Sequence, residues 1–255
     1  MIALITDFGV ADCYAGVMKA MMKSINQNAD IIDITHSVRS YSIINAQFAL
    51  YSSYNYFPVG TIFAVIVDPG VGTARKGIIA QDDRYYFVLP DNGIISAVAS
   101  SRLKIYNIDM TLFPEASSTF HARDVFGPVA ARLSMGYQPG QLGSLTNDAV
   151  LCPFPDYSIV ECGNSATIIH IDKFGNAITS LPNDTIDFNS NVTYSVISDN
   201  YRFETVCAGT YGDIALNSAG MIRGSSGFIE LSANQFPISE RFDMAIGDHL
   251  VIKRN

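Results

Sequence analysis

Short apolar runs alternate with helical patterns through the first 145 residues, and this alternation constrains the fold more than any other feature. The runs MIALIT, ADIIDIT, TIFAVIV and YYFVL are rich in β-branched and aromatic residues, which is typical of strands buried on both faces. Helical patterns cover about residues 14–26, 43–54, 94–101 and 124–135. Strand and helix in turn predict an α/β domain over residues 1–145, with a Rossmann-like, mostly parallel sheet and helices on both faces.

The pattern changes after about residue 143. We interpret residues 146–160, which contain PFPDY, as a linker. The runs ATIIHID, NAITSL, VTYSVI, YRFETV, GFIELS and HLVIKR follow, separated by Asn, Gly and Asp. Many short strands at close spacing predict a small antiparallel β-barrel or sandwich over residues 161–255.

Composition argues against several classes of function. The net charge of −8 disfavours nucleic acid as a partner, because phosphates require basic surfaces. Every apolar stretch is too short to span a membrane, and MIALITDFG lacks the basic region and cleavage site of a secretory signal. Cys13, Cys152, Cys162 and Cys207 show no C-x-x-C spacing, so we expect reduced thiols, a cytoplasmic location and no metal site.

A polar residue follows each apolar run of the first domain. Asp7, His36, Asp68 and Asp91 stand where the four predicted strands end. The carboxyl ends of parallel strands share one edge of a sheet, and ligands bind there. The four residues therefore predict a polar rim over an apolar floor. The alternative is that each one caps a helix or forms a turn independently.

Two further segments carry residues suited to catalysis. In VDPGVGTAR, Asp68 and Arg75 flank a loop of small residues, and in STFHARDVFGP, His121 precedes a predicted helix. An aspartate, an arginine and a histidine within reach of one another can orient and polarise a water molecule. The alternative is a structural salt bridge and a structural histidine.

The second domain contains two turn-rich segments that carry polar residues. HIDKFGNAIT places Asp172, Phe174 and Asn176 close together, and RGSSGFIELSANQ contains Ser225 and Ser226. Taken alone, both segments are typical of turns between strands.

Taken in order, the motifs resemble those of a known family. TDFG, DITH, VDPGVGTAR, PDNG, TFHARDVFGP, IDKFGNAIT and GSSG occur in sequence, over about residues 2–253. They are similar to the motifs of the S-adenosylmethionine (SAM) hydroxide adenosyltransferases, which are relatives of fluorinase and chlorinase. The resemblance implies hydrolysis of SAM to adenosine and L-methionine by attack of water or hydroxide on ribose C5′. SAM is then the substrate, and no cofactor is implied.

The resemblance also implies roles for individual residues. Asp68, Arg75 and His121 match the family's water-handling triad. Asp7 matches the carboxylate that binds the ribose hydroxyls. The remaining implied substrate-binding residues are Asp12, Tyr14, Tyr41, Phe120, Asp172, Phe174, Asn176, Ser225 and Ser226. Among these, Asp172 is implied to face the methionine ammonium, Asn176 the adenine, and the two serines the methionine carboxylate. The resemblance further implies a homotrimer, in which each site lies between the first domain of one chain and the second domain of its neighbour.

Three positions depart from the family pattern. Ala122 stands where the hydrolases usually have glycine, Cys13 where proline is usual, and Phe236 near a position where glycine is usual. The motifs are also compatible with two alternative functions: a halogenase that uses chloride or fluoride as nucleophile, and a non-catalytic sensor of SAM or a nucleoside.

Overall fold

Residues 1–160, 163–188 and 192–255 are described by a computed structural model. Contacts divide the chain into two compact units, Met1–Cys152 and Pro153–Asn255. The strands of the first unit are β1 (Ile2–Thr6), β2 (Ile31–Thr35), β3 (Ile62–Ile66), β4 (Gly77–Gln81), β5 (Tyr86–Pro90), β6 (Lys104–Ile108) and β7 (Gly143–Thr146). Its α-helices are α1 (Tyr14–Ile25), α2 (Ile43–Ser53) and α3 (Gly127–Ser134).

The first unit contains one mixed seven-stranded sheet, ordered β2-β1-β3-β5-β4-β6-β7. The four strands predicted from apolar runs, β1, β2, β3 and β5, are neighbours and run parallel. The other three are antiparallel to their neighbours. The prediction of a mostly parallel sheet is therefore correct for one half only. β4 turns directly into β5 through a tight turn, in which Asp82 accepts a hydrogen bond from the backbone N–H of Tyr85 at 2.6 Å.

Both faces of β1 are buried, as its continuous apolar run predicts. Ile2 and Leu4 belong to a core cluster with Met18 of α1 and Val129 of α3. Ala3 and its alternate neighbours point to the opposite face and are also buried, and α2 contacts β1. Ser42 caps α2 by accepting a hydrogen bond from the backbone N–H of Asn45.

Two predicted helices take other forms. Residues 94–101 form only a short 3₁₀ segment, Ile94–Val98. The helix predicted over residues 124–135 begins as a π-helical turn, Ala122–Phe126, and continues as α3.

The second unit is a closed seven-stranded β-barrel, ordered β9-β10-β14-β13-β12-β11-β15 and closed by the β9–β10 pairing. Its strands are β8 (Tyr157–Val160), β9 (Gly163–Ile171), β10 (Ala177–Pro182), β11 (Thr193–Ile197), β12 (Arg202–Cys207), β13 (Ala219–Arg223), β14 (Phe228–Ala233) and β15 (His249–Arg254), and one short helix, α4 (Ile238–Arg241), follows β14. β8 pairs with β9 outside the barrel, so the segment 146–160 that we interpreted as a linker contains a strand. The predicted antiparallel arrangement holds except for one parallel pair, β12 with β13.

β12 illustrates why these segments form a barrel. Its residues alternate between exposed and buried, and the buried Phe203 and Cys207 belong to the barrel core. This period of two matches a sheet with one solvated and one packed face. The cysteines at 13, 152 and 207 are not disulfide-bonded to one another, whereas Cys162 lies outside the described residues. Within the described parts of the chain, none of the helices is both long and apolar enough to cross a membrane.

Candidate active site

A cavity of about 570 Å³ lies in the first unit, at the carboxyl ends of β1 and β3. We call it the N-terminal cavity. Asp7, Asp12, Tyr14, Tyr41, Asp68, Phe120 and His121, all selected from the sequence, line it together with Phe8, Ser40, Ile66, Val71, Ser117, Thr119, Ala122 and Arg123. The structure therefore brings the first-domain candidates into one concavity, with Arg75 immediately behind it.

Asp68 and Arg75 form a buried, two-pronged ion pair. Arg75 Nε donates to Oδ1 of Asp68 at 3.0 Å, and Nη2 donates to Oδ2. The two side chains are only 8% and 9% exposed. Arg75 also donates from Nη1 to the backbone carbonyl of Lys76 at 3.1 Å, and its guanidinium lies over the ring of Phe126. The guanidinium is therefore fixed from several sides.

His121 is joined to this pair through the arginine. Nη2 of Arg75 lies 3.2 Å from Nδ1 of His121. A guanidinium only donates hydrogen bonds, so Nδ1 accepts and the neutral imidazole carries its proton on Nε2. Burial lowers the pKa of His121, and the nearby Arg75 charge lowers it further. Both effects favour the neutral ring at physiological pH.

Asp68 shows the opposite tendency. Burial raises the pKa of Asp68 above the ordinary value for an aspartate, and the charge of Arg75 opposes this shift. A carboxylate with a raised pKa is a better proton acceptor than an exposed aspartate. Asp68 and His121 both line the cavity, and Arg75 forms a hydrogen bond with each of them.

Gly72 allows the loop between Asp68 and Arg75 to approach the segment that carries His121. Its φ is +78°, and a Cβ at this position would lie 2.7 Å from the backbone carbonyl oxygen of Ser118. A side chain would therefore force the two segments apart.

The PDNG motif braces the same loop at both ends. Asn92 Nδ2 donates to the carbonyl of Val67 at 2.9 Å, and the backbone N–H of Asp91 donates to the carbonyl of Lys76 at 2.9 Å.

The π-helical turn sets the position of His121. The N–H of Gly127 donates to the carbonyl of Ala122, and a Cβ at Gly127 would lie 2.9 Å from that oxygen. Asp124 accepts from the backbone N–H of Ser117 at 2.9 Å and from two nitrogens of Arg123. The hydrogen bond from Arg123 lowers the pKa of Asp124. This acid therefore ties the loop before His121 to the turn after it.

Asp7 faces the other side of the N-terminal cavity. Its Oδ2 accepts from the backbone N–H of Tyr41 at 2.9 Å, and Tyr41 adopts a left-handed conformation with φ +66°. Tyr41 is 72% exposed, so its ring stands free at the cavity. Phe8, Tyr14 and Phe120 form an aromatic wall with ring centroids 5.3 to 6.1 Å apart.

Two of the four predicted rim residues do not line the N-terminal cavity. His36 is buried, and its Nδ1 lies 2.8 Å from Oγ1 of Thr6. Asp91 is also buried, and its Oδ1 accepts from the backbone N–H of Val150 at 2.8 Å. The strands end at the same edge as predicted, but these two side chains bind protein groups. The predicted polar rim of the N-terminal cavity therefore does not include His36 or Asp91.

A second cavity, of about 660 Å³, lies in the second unit. We call it the C-terminal cavity. It is lined by Asp172, Phe174, Asn176, Tyr211, Gly212, Ala233, Asn234, Gln235, Phe236 and Pro237.

Asp172 organises the turn that carries its neighbours in this cavity. Its Oδ1 accepts from the backbone N–H groups of Phe174 and Asn176, and its Oδ2 accepts from Nδ2 of Asn176, each at 2.9 Å. Phe174 is 68% exposed, and Asn176 is buried.

Ser225 and Ser226 lie in the turn between β13 and β14. Among the described residues that line the C-terminal cavity, neither serine is present. The structure of this single chain therefore does not bring them together with Asp172 and Asn176.

Several lining residues were not selected from the sequence. Phe8 follows Asp7 directly, Arg123 follows the HA pair, and Tyr211 stands in GTYGD, a segment without another singled-out residue. Proximity to a motif would have found the first two. Tyr211 is held at its cavity by a hydrogen bond to Glu230 of β14, a contact between separate segments that no local pattern encodes.

Comparisons with known proteins agree with the motif resemblance. A family model described as "SAM hydroxide adenosyltransferase N-terminal domain" matches residues 2–143, and the corresponding C-terminal model matches residues 166–251. A protein from Methanocaldococcus jannaschii named (R)-S-adenosyl-L-methionine hydrolase is 34% identical over 197 residues, covering 74% of this chain and 69% of that protein. A protein of the same name from Salinispora tropica is 28% identical over 260 residues, covering 98% and 96%.

Structural comparison extends over the whole chain. The crystal structure of an uncharacterized conserved protein from Thermotoga maritima matches with a TM-score of 0.90 and 34% identity, covering 99% of this chain and all of that one. Fluorinases are among the more distant sequence relatives. The chain belongs to the SAM hydroxide adenosyltransferase family.

Proposed function

We propose that the chain is a SAM hydrolase that forms adenosine and L-methionine. Water attacks ribose C5′, and the neutral thioether of methionine leaves from the sulfonium. The observation that carries the proposal is the linked arrangement of Asp68, Arg75 and His121 at the wall of the N-terminal cavity. Family membership and the names of the relatives from M. jannaschii and S. tropica support it.

The hydrogen-bond directions assign a separate task to each residue of the triad. Nδ1 of His121 is occupied by Arg75, so the Nε2–H is the group left to hold the water oxygen. Asp68 lines the cavity and accepts the proton that the water loses. Arg75 does not line the cavity. It acts as a positioning residue that fixes the carboxylate of Asp68 and the imidazole of His121 relative to one another.

The reaction needs no proton on its leaving group. The new O–C5′ bond takes an electron pair from water, and the pair of the C5′–S bond goes to sulfur, which becomes neutral. The proton released by water goes to Asp68. The main requirement is therefore a water molecule held in line at about 3–3.5 Å from C5′. Ala122, 4% exposed and adjacent to His121, adds a methyl group to the wall beside this position.

The other roles follow from the chemistry of the lining. Asp7 is suited to accept hydrogen bonds from both ribose hydroxyls, because its carboxylate has two oxygens. Asp12, Tyr14, Tyr41 and Phe120 complete the nucleoside side of the N-terminal cavity. Asn176, Phe174 and Asp172 are assigned to the adenine and methionine parts, and the exposed Phe174 fits a wall that contacts a ligand.

The proposal includes a homotrimer in the cytoplasm, in which the two cavities of a site come from neighbouring copies. This arrangement also gives Ser225 and Ser226 their place at the methionine carboxylate. Light scattering on the active enzyme tests the assembly, and a stable monomer with full activity contradicts it.

One experiment tests the activity directly. Purified protein is incubated with SAM in ¹⁸O-labelled water, with and without chloride or fluoride, and the nucleoside is identified by mass spectrometry. We expect adenosine labelled at the 5′ oxygen, with an equal amount of L-methionine. A 5′-halonucleoside contradicts the assignment to the hydrolases and favours a halogenase. Tight binding of SAM without any product favours a sensor.

A further inference from the structure

Tyr211 contributes a hydroxyl group to the C-terminal cavity that can only accept hydrogen bonds from a ligand. Its hydroxyl donates to Oε1 of Glu230 at 2.6 Å. Oγ of Ser232 donates to the same oxygen at 2.9 Å, and Glu230 is only 7% exposed. A tyrosine has one hydroxyl hydrogen, and here Glu230 holds it. The lone pairs of the Tyr211 oxygen remain for a donor in the cavity.

The hydroxyl also keeps its proton over the working pH range. Burial raises the pKa of Tyr211, and the hydrogen bond to Glu230 and the nearby charge of Asp172 raise it further. Tyr211 is still 50% exposed, so a ligand can reach its ring and oxygen.

Asp172 supplies a second acceptor in the same cavity, but most of its capacity is already used. The carboxylate accepts three hydrogen bonds within its own turn, two on Oδ1 and one on Oδ2. An ammonium group has three N–H donors and needs more acceptors than Asp172 has left. A neighbouring acceptor-only oxygen meets that need.

The charges near the cavity favour a cationic group. Among the described lining residues, Asp172 is charged and no lysine or arginine is present. The nearby Lys173 and Arg241 instead lie over the rings of Phe174 and Phe236, at 4.8 and 4.6 Å from the ring centroids. A carboxylate placed at Tyr211 would meet an acceptor oxygen backed by a buried glutamate, which is repulsive.

We propose that Tyr211, oriented by Glu230, is a specificity-determining residue that accepts a hydrogen bond from a primary ammonium group of the ligand beside Asp172. Under the proposed function, on which this inference rests, that group is the α-ammonium of the methionine part of SAM. Tyr211 then selects substrates with a free amino group over otherwise identical sulfonium compounds.

The test compares two unreactive probes that differ only in the ammonium group. The first is S-adenosyl-L-homocysteine, and the second is its deamino counterpart, in which hydrogen replaces the amino group. Calorimetric titration gives the dissociation constant of each probe for the wild type and for Tyr211→Phe, and SAM turnover gives kcat and KM. Tyr157→Phe is the matched control, because this tyrosine also belongs to the second unit, is 39% exposed and does not line the cavity.

We expect Tyr211→Phe to weaken binding of the amino probe by about 10- to 100-fold, the range for a hydrogen bond to a charged group. Binding of the deamino probe is expected to change by less than about twofold on the same scale, and the KM for SAM is expected to rise more than kcat falls. Glu230→Gln still offers an acceptor oxygen to Tyr211. Its dissociation constant for the amino probe is expected to lie between those of the wild type and Tyr211→Phe. Tyr157→Phe is expected to match the wild type.

Equal losses for both probes, or no loss for either, overturn the assignment of Tyr211 while leaving SAM hydrolysis in place. A wild-type chain that neither binds the amino probe nor cleaves SAM overturns the proposed function, and this assignment with it.

Discussion

Arg75 donates to Nδ1 of His121 at 3.2 Å with the same guanidinium that holds both oxygens of Asp68. A single cation therefore fixes the orientation of the imidazole and of the acid at once. It also makes Nδ1 of His121 unavailable as a base. The role of His121 in the triad then depends on the proton that its ring carries on Nε2, and substitutions can test this role.

The first prediction distinguishes a donor role of His121 from a general-base role. His121→Ala removes the Nε2–H donor and is expected to lower kcat by about 10²- to 10³-fold, with folding and SAM binding retained. His121→Gln restores an N–H donor near the same position and is expected to recover part of the lost rate. Stopped assays of adenosine release measure both variants. Equal inactivity of the two variants favours a base, and wild-type turnover by His121→Ala removes the residue from the mechanism.

The second prediction concerns the buried ion pair. Asp68→Asn leaves the guanidinium of Arg75 buried without its counter-charge, and the free energy of unfolding is expected to fall by about 3–5 kcal/mol. Activity per folded molecule is expected to fall as well, because the amide accepts no proton. Denaturant titration and turnover are measured on the same preparation. If Asp68 were only structural, activity would stay proportional to the folded fraction.

The sequence predicts those parts of the fold that depend on the pattern of neighbouring residues along the chain. Continuous apolar runs gave the four parallel strands, and short runs separated by Asn, Gly and Asp gave six strands of the barrel. The antiparallel half of the first sheet was missed because β4 is a short run joined to β5 by a turn, with no helix to mark it. The π-helical turn was missed because its signal is a close approach between Gly127 and the Ala122 carbonyl, which is visible only in three dimensions.

The candidate site shows the same division. Asp7, one residue after β1, and Asp68, two residues after β3, reach the cavity, as strand ends in a parallel sheet predict. His36 and Asp91 follow strands equally well, but Thr6 and the N–H of Val150 hold them inside the protein. A polar residue at a strand end can serve a ligand or the chain itself, and only the neighbours from distant segments decide which.

The third prediction uses the lowered pKa of His121. In the unfolded chain the imidazole takes up a proton near pH 6.5, whereas in the folded chain it does so only at lower pH. The unfolded state therefore binds more protons between these values, and stability is lost as the pH falls through this window. We compare the free energy of unfolding of the wild type with that of His121→Gln. The difference is expected to be constant above pH 6.5, and below it the wild type is expected to lose stability relative to the variant. Denaturant unfolding between about pH 5 and 8 measures this, since that range spans the ordinary histidine pKa. A difference independent of pH contradicts the shift.

The fourth prediction tests the close approach at Gly72. Gly72→Ala combines a left-handed backbone with a Cβ 2.7 Å from the Ser118 carbonyl, so the two loops of the triad are expected to separate. The control is Gly60→Ala, at φ +87° but with nothing within 4 Å of the added atom. Both variants are expected to lose about 1–2 kcal/mol of stability from the backbone term. Only Gly72→Ala is expected to lose kcat as well, by at least about tenfold, because a small displacement of positioned groups is costly. Similar kcat values for the two variants contradict a positioning role for this contact.

The fifth prediction assigns Asp7 to the ribose. Its Oδ2 already accepts from Tyr41 N–H, which fixes the carboxylate at the cavity and leaves Oδ1 and the second lone pair of Oδ2 for two hydroxyls. Asp7→Asn replaces one acceptor oxygen with a donor. The KM for SAM is therefore expected to rise by about 10- to 100-fold, with a smaller effect on kcat, since hydrogen bonds to charged groups contribute about 1.5–3 kcal/mol. The comparison substrate is the 2′,3′-dideoxy analogue of SAM, which lacks both hydroxyls. The KM of the wild type for this analogue is expected to be about as high as the KM of Asp7→Asn for SAM. The KM of the variant for the analogue is expected to rise little further. If Asp7→Asn raises the KM for SAM and for the dideoxy analogue by the same factor, Asp7 acts through the loop of Tyr41. The residue that contacts the ribose then lies elsewhere in the cavity.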